Sequence, residues 1–439
     1  MRIAVIGSGI AGLSCAWLLS REHEVQLYEA SDRFGGHSNT VLLREGRRQI
    51  PVDTGFIVFN EPNYPHLNAF FRELGVPVHD SDMSFSASLG QGQLEYAGDG
   101  LASLFAQPAN ILRPSHWRMI REIVRFNRIA AEWLDSGEQT SLSLGAFLKQ
   151  QGFARELSER YLLPMGAAIW SAPMARILEF PARSFLAFFR NHYLLQVADR
   201  PRWKTVLGGS REYVQRVLAE LGDRAMAGVA VTAVRRRSAG VLVDDARGGQ
   251  AEYDQVILAC HGDQALAMLK DAQPRERDVL AAFSFQNNTA WLHSDPQLMP
   301  KRRRVWSSWN YLADREGASD RKVAVSYWMN RLQPLDASRD YFVTLNPRQR
   351  PDPALTWQRM EYEHPVFDLA AIQAQQALPN VQGTDRVWFC GAWTANGFHE
   401  DGIRSGIAVA NALGTQAPWQ QRHGAAVHAH PLQLAGEEA

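Results

Sequence analysis

The chain opens on RIAVI (residues 2–6), where apolar positions follow one another without alternation, the pattern of a strand buried on both faces. LSCAWLLSRE, starting at Leu13, reads as a helix, and EVQLYE (24–29) as a second strand. YDQVILAC (253–260) and VWFCG (387–391) predict two more buried strands, and DGIRSGIAVANAL (401–413) predicts a helix directly after the last of them. Alternation of period two in AGVAVTAVRRRSAGVLVDD (227–245) predicts a hairpin. Residues 66–200 read as long helices with scattered prolines. The aromatic segments TAWLHSD (289–295), VWSSWNY (305–311) and VAVSYWM (323–329) predict an antiparallel sheet able to wall an apolar pocket. The clearest helical period lies in SHWRMIREIVRFNRIAAEWL (115–134). At about 100° per residue, Arg118, Arg121, Arg125 and Arg128 share an arc of roughly 80°; Met119, Ile120, Ile123, Val124, Phe126, Ala130, Trp133 and Leu134 take the other side. Residues 416–439 have the composition of a weakly ordered tail.

Forty-six Lys and Arg balance forty-six Asp and Glu, so no bulk positive charge is available to collect nucleic acid. With 46% hydrophobic and 21% charged residues the chain is globular in composition. Its three cysteines, Cys15, Cys260 and Cys390, each sit in an apolar run, as reduced buried thiols do, and none has metal-ligand spacing. His423, His428 and His430 lack such spacing as well, and no metal is expected. No stretch reaches the roughly 18 uninterrupted apolar residues of a spanning helix. The expectation is a protein of the cytoplasm, associated at most with the inner face of a membrane.

Between the first strand and the first helix stand Gly7, Gly9 and Gly12 as G-x-G-x-x-G, and Glu29 ends the second strand. The first glycine permits the tight turn, the second lets the backbone approach a pyrophosphate, and the third lets helix and strand pack closely. The helix N-terminus then faces the phosphates, and Glu29 can accept hydrogen bonds from ribose hydroxyls. Strand, motif, helix, strand and acid in register point to a bound dinucleotide.

Residues 29–36, EASDRFGG, resemble the E-A-x-x-R-x-G-G signature of the flavin-containing amine oxidase superfamily, which includes phytoene-desaturase-like enzymes and protoporphyrinogen oxidase. DTGFIVFNEPNYP (53–65) is similar to a narrower group of NAD/FAD-binding, amine-oxidase-like proteins. The resemblance implies FAD, bound non-covalently. Arg33 would lie near adenosine or phosphate, Gly35 and Gly36 would allow a close backbone approach, and Gly55 would run beneath the flavin ring. His37 stands where many relatives have arginine. In relatives a strand near Val231 hands backbone groups to the adenine. The closing block resembles the family's strand, glycine (Gly391) and G-x-x-x-S-G helix, with Gly402 and Ile403 offering backbone N–H groups to the flavin pyrimidine. Where many relatives carry an acid after the strand glycine, this chain has Ala392.

The implied fold is α/β, with a discontinuous Rossmann-like FAD-binding domain (1–65, 203–262 and 380–415) interleaved with an α+β substrate domain (66–202 and 263–379). The implied chemistry is hydride transfer from a substrate C–H to flavin N5, with oxygen or a carrier as the final electron acceptor. Three readings compete. The first is a desaturase-like enzyme acting on a long-chain lipid or other apolar substrate, with peripheral membrane contact through 101–134. The second is an amine oxidase acting on a small amine, for which Trp306, Trp309, Tyr311 and Tyr327 are the aromatic cage candidates. The third is a non-enzymatic lipid or prenyl binder on the same scaffold, which the intact flavin motifs at both ends disfavour.

Overall fold

The computed structural model describes residues 1–422 except 99, 138–141, 171, 197–199 and 315–323. A parallel sheet is built around β1 (Arg2–Ile6), with β2 (Glu24–Tyr28) on one side and Gln255–Leu258 on the other; Ala225–Met226 and Val387–Phe389 extend the two edges. β1 is a continuous apolar run because both of its faces are covered, and Ile3, Ala4 and Val5 are fully buried. Helix α1 (Ile10–Leu19) is buried at every position, which explains why it shows no amphipathic pattern. The hairpin expected in 227–245 is present, Val231–Arg236 pairing antiparallel with Val241–Asp245.

A second sheet has seven strands, in the order Thr356–Val366, Ser284–His293, Phe342–Leu345, Ala324–Trp328, Trp309–Ala313, Phe85–Leu89 and Leu94–Ala97. Its pairs are antiparallel except Trp309–Ala313 against Phe85–Leu89. The last two strands correct the all-helical reading of residues 66–200. Their signal was present in the Gly90-Gln91-Gly92 turn, whose three residues take positive φ (61°, 56° and 86°) and close a short hairpin.

Helices cover this sheet, among them α2 (Pro114–Asp135) and α3 (Ala182–Asn191). Met119, Phe126, Ala130, Trp133 and Leu134 of α2 enter the core as expected, and the Phe126 and Phe189 rings lie 6.5 Å apart. Val124, expected on that inner side, is instead 60% exposed, because at about 100° per residue it flanks the arginine arc on the side of the helix away from Phe126. The closing helix α4 (His399–Ala412) packs on α1 so closely that a Cβ at Gly406 would stand 2.6 Å from the Ala11 carbonyl oxygen.

The tail expectation is corrected for its first residues. Pro418–Arg422 is a helix, Trp419 is buried, and its indole N–H donates to His66 Nδ1 at 3.2 Å. The remainder of the tail, with His423, His428 and His430, lies outside the described residues. Among the described residues, no helix is long and apolar enough to cross a membrane.

Candidate functional site

A cavity of about 1260 Å³ begins at the carboxyl ends of the parallel strands, where open α/β sheets hold their ligands, and extends to the seven-stranded sheet. Gly7, Gly9 and Gly36 line its first part. Gly7 sits at φ +107°, and a Cβ there would stand 2.6 Å from the Ala259 carbonyl oxygen. Gly12 stands behind the wall, where a Cβ would overlap the Gly7 carbonyl, so its role is close helix–strand packing. Gly35 is also behind the wall, 2.6 Å (from its would-be Cβ) to the Ser38 carbonyl oxygen. Gly9 differs from all of these: a Cβ there meets nothing within 4 Å. No protein atom needs that glycine, so the space beside it is what the missing side chain leaves open.

Glu29 and Arg33 lie on the same wall. Glu29 accepts from Ser8 N at 3.0 Å and Ser8 Oγ at 2.6 Å through one carboxylate oxygen, and from Ser31 N at 2.9 Å and Ser31 Oγ at 2.7 Å through the other. These bonds fix the carboxylate at the edge of the cavity. Arg33 donates through Nη2 to the Gly36 carbonyl at 2.8 Å, while its Nη1 is buried with no partner among the described residues. A buried guanidinium N–H without an acceptor beside an open glycine is the donor arrangement a pyrophosphate completes. Val231 lines the wall together with Val229. The residues therefore fit a dinucleotide.

Beyond this wall the cavity passes Gly55, Phe56 and Ile57 on one side and Gly391, Ala392 and His399 on another. A Cβ at Gly55 would overlap the His37 carbonyl, which already accepts from Phe56 N at 2.8 Å. His399 stacks on Phe56 at 3.8 Å. The N-terminus of α4 faces the cavity, but Gly402 and Ile403 are not its free donors. Gly402 N donates to Phe398 O at 3.0 Å, and Ile403 is fully buried one position further along the helix. The helix begins at His399, earlier than the sequence motif suggests, so the amides without intrahelical partners belong to its first turn. That turn is held by Asp401, whose carboxylate accepts from Asn396 N and Phe398 N, both at 3.1 Å. Cys260 also lines the cavity; burial pushes its thiol far above the usual thiol range, so it stays protonated and a poor nucleophile.

Four histidines, His37, His261, His364 and His399, line this region, a cluster the sequence reading missed because they are dispersed along the chain. His37 stacks on Tyr362 at 5.1 Å and lies 5.2 Å from His364. Burial, then the neighbouring His364, holds His37 well below the usual imidazole range. Burial takes His364 down to about 4 and His399 down to about 3. His364 Nδ1 faces the Asn288 side-chain amide at 2.7 Å, and His261 Nδ1 faces Glu363 at 3.1 Å. His37 Nε2 is buried and has no partner among the described residues.

The far arm is lined by Met83, Ile169, Trp170, Phe188, Leu194, Trp203, Trp309 and Tyr327. Of the four aromatic residues expected there, only Trp309 and Tyr327 arrive, and their rings meet edge to face, 4.9 Å apart at 84°. Trp306 packs instead with Met299 and Phe342, its indole N–H donating to the Pro300 carbonyl at 2.7 Å. Tyr311 is buried in the main core, with its hydroxyl 3.6 Å from the Met174 sulfur. Neither lines the cavity; Tyr311 belongs to the helix-covered core, and Trp306 precedes the strand and belongs to a separate small cluster. Among the described residues, no cluster of three or more His, Cys, Asp or Glu is disposed to hold a metal ion.

The family described as flavin containing amine oxidoreductase matches residues 10–290, and the chain belongs to it. FAD is the cofactor expected of that family. The chain is 30% identical over 256 residues to the "Putative flavin-containing monoamine oxidase AofH" of Mycobacterium tuberculosis (strain CDC 1551 / Oshkosh). That match covers 56% of this chain and 54% of the relative, so it spans about half the length of the curated protein. Among solved structures the fold is shared with wild-type putrescine oxidase bound to putrescine, at a TM-score of 0.67 and 16% identity over 94% of this chain and 99% of that one. It is shared equally with a CLA-producing fatty acid isomerase from P. acnes, again at TM-score 0.67 and 16% identity, over 94% and 98% of the two chains.

Proposed function

We propose that the chain is an FAD-dependent oxidoreductase that desaturates or otherwise oxidises a long-chain, apolar substrate such as a fatty-acyl lipid, drawn from a membrane surface through residues 101–134. In this reading the segments 1–65, 203–262 and 380–415 hold FAD without a covalent bond, and 66–202 with 263–379 shape the substrate arm. When bound, FAD supplies the acceptor for a substrate hydride, and oxygen or a carrier takes the electrons onward. The chain's own residues bind and orient. Arg33 and the amides at the start of α1 meet the pyrophosphate, and Glu29 meets the ribose. Desaturation also releases a second hydrogen as a proton, which leaves to solvent; His37 on the cavity wall is kept neutral by burial and is a weak acceptor for it.

The observation that favours an apolar chain is the shape of the arm. An amine cage needs aromatic faces flanking a slot, and Trp309 with Tyr327 closes edge to face instead. The carboxylates on the cavity wall are engaged elsewhere: Glu29 with Ser8 and Ser31, Glu363 with His261, and Glu361 with Arg359. None stands among the apolar residues of the arm to hold an ammonium ion. The buried Trp309 indole N–H, without a partner among the described residues, offers a donor for the carbonyl of an acyl head. The fatty acid isomerase and the putrescine oxidase share the fold equally, so the fold does not decide between them. Anaerobic titration decides: bleaching of the flavin by a long-chain acyl compound, with a new double bond in the product, is the expected result. Bleaching by a small amine and not by acyl chains would replace this reading with the amine-oxidase one.

A further inference from the structure

The described surface exposes ten large hydrophobic side chains, and four of them, Ile111, Leu112, Trp117 and Val124, fall within one short stretch. Leu112 is 86% exposed, the highest of the ten. Ile111 and Leu112 end the turn before α2, and the Trp117 indole N–H donates to the Ile111 carbonyl at 2.9 Å, which pins the ring beside them. Along α2, Trp117, Arg121, Val124 and Arg128 are all exposed. Their spacing of four, three and four residues puts them within an arc of about 60° over roughly 16 Å of helix.

The arginines of α2 divide into two pairs. Arg118 is bound to Glu156 at 3.1 Å, and Arg125 to Glu122 at 3.0 Å and the Gln151 carbonyl at 2.5 Å, so those two serve the protein's own fold. Arg121 and Arg128 are paired with no described residue, and they alternate with Trp117 and Val124 on the outward stripe.

We infer that this stripe docks the protein on an anionic lipid bilayer, with Ile111, Leu112, Trp117 and Val124 entering the headgroup layer and Arg121 and Arg128 meeting lipid phosphates. Apolar side chains able to enter the headgroup layer and cations able to meet phosphates share one exposed stripe, and cationic side chains near such a surface each add to the attraction. The placement deepens the proposed lipid reading and rests on it for its purpose. The opposite side of α2 packs through Phe126 on Phe189 of α3, whose neighbour Phe188 lines the apolar arm. The docked face is thus one helix layer from the cavity that would receive the chain.

The test is sedimentation of the flavin-loaded full chain with vesicles of phosphatidylcholine alone and with phosphatidylglycerol added. Binding should require the anionic lipid and weaken as salt is raised. Arg121→Glu with Arg128→Glu should reduce it about tenfold or more, and Leu112→Glu with Val124→Glu should do the same, with flavin spectrum and melting temperature unchanged. Undiminished binding by both variants would overturn the assignment. So would the absence of vesicle binding with a concentration-dependent dimer that Leu112→Glu disrupts, because the face would then join two copies of the chain. The substrate reading fails separately: vesicle binding without flavin reduction by acyl compounds keeps the docking face and discards the lipid oxidation, and reduction without vesicle binding does the reverse.

Discussion

At the phosphate end of the cavity, Gly7, Gly9, Glu29, Arg33 and Gly36 all lie within residues 7–36, and all but Gly9 are fixed by a steric or hydrogen-bond need visible at that residue. The apolar arm draws Met83, Ile169, Trp170, Phe188, Trp203, Trp309 and Tyr327 from strands, helices and loops spread over most of the chain. The first region is specified locally; the second is specified by how two sheets and a helical layer come together, and can change its lining while keeping its shape. Even within the phosphate end the glycines are unequal. Gly12 is needed by the protein itself, and Gly9 only by what binds there.

That contrast gives the largest expected effect. Gly12→Val must push a side chain into the Gly7 carbonyl, a backbone atom that cannot swing aside, and should cost upwards of about 4 kcal/mol. The outcome is little or no folded protein, read from soluble yield and circular dichroism. Gly9→Leu has open space to enter, so the chain should fold with an unchanged melting temperature in the flavin-free state. Its FAD affinity should fall roughly a hundredfold, about 2.7 kcal/mol. Arg33→Gln, which removes the unpartnered buried Nη1, should cost FAD binding about 1.5–3 kcal/mol, measured by flavin released on dilution. A Gly9→Leu protein that keeps its flavin would show that the open space is not where the pyrophosphate lies.

This difference between the two regions also explains what was legible in the sequence. The parallel strands, the glycine turn, the 227–245 hairpin and the family were readable because each rests on residues close together or on a fixed spacing. Trp306, Trp309, Tyr311 and Tyr327 looked alike as aromatics in neighbouring strands, yet only two reach the cavity. Which face of a strand lines a cavity depends on register with strands from elsewhere, here Phe85–Leu89 paired parallel with Trp309–Ala313. The histidine cluster was invisible for the same reason: His37, His261, His364 and His399 meet only after the chain has crossed between the sheets several times. The placement of Gly402 and Ile403 failed by a smaller margin, because the start of α4 is set by Asp401 capping the turn before it rather than by the G-x-x-x-S-G spacing.

Acid should act on the floor between the two regions. His364 and His399 sit at about 4 and about 3 because burial disfavours their charged forms, against an ordinary value near 6.5. Between those values the unfolded chain binds more protons than the native one. Their contribution to stability is therefore complete above about pH 6.5 and is lost as pH falls toward 4. The expected result is a melting temperature that is level from pH 8 to about 6.5 and declines below it, with flavin released in the same range. His364→Gln should flatten part of the decline. A melting temperature independent of pH down to about 4.5 would mean that these imidazoles are solvated in solution.

The smallest effect separates two tryptophans three positions apart. Trp306 and Trp309 are both largely buried, but the Trp306 N–H is satisfied by the Pro300 carbonyl, whereas the Trp309 N–H, in a residue that lines the cavity, is buried with no partner among the described residues. Phenylalanine keeps most of the ring volume at either position and removes only the donor. At 306 the change strands a buried carbonyl and should lower stability by about 1–3 kcal/mol while leaving KM for an acyl substrate alone. At 309 no protein hydrogen bond is lost, so the melting temperature should hold. KM should rise several-fold, in line with the roughly 0.5–1.5 kcal/mol of one hydrogen bond to a neutral acceptor, for substrates with an acyl carbonyl and not for a hydrocarbon chain lacking one. Equal KM values for Trp309→Phe and the parent protein would remove the indole as the polar handle of the arm, and the apolar walls alone would then have to orient the substrate.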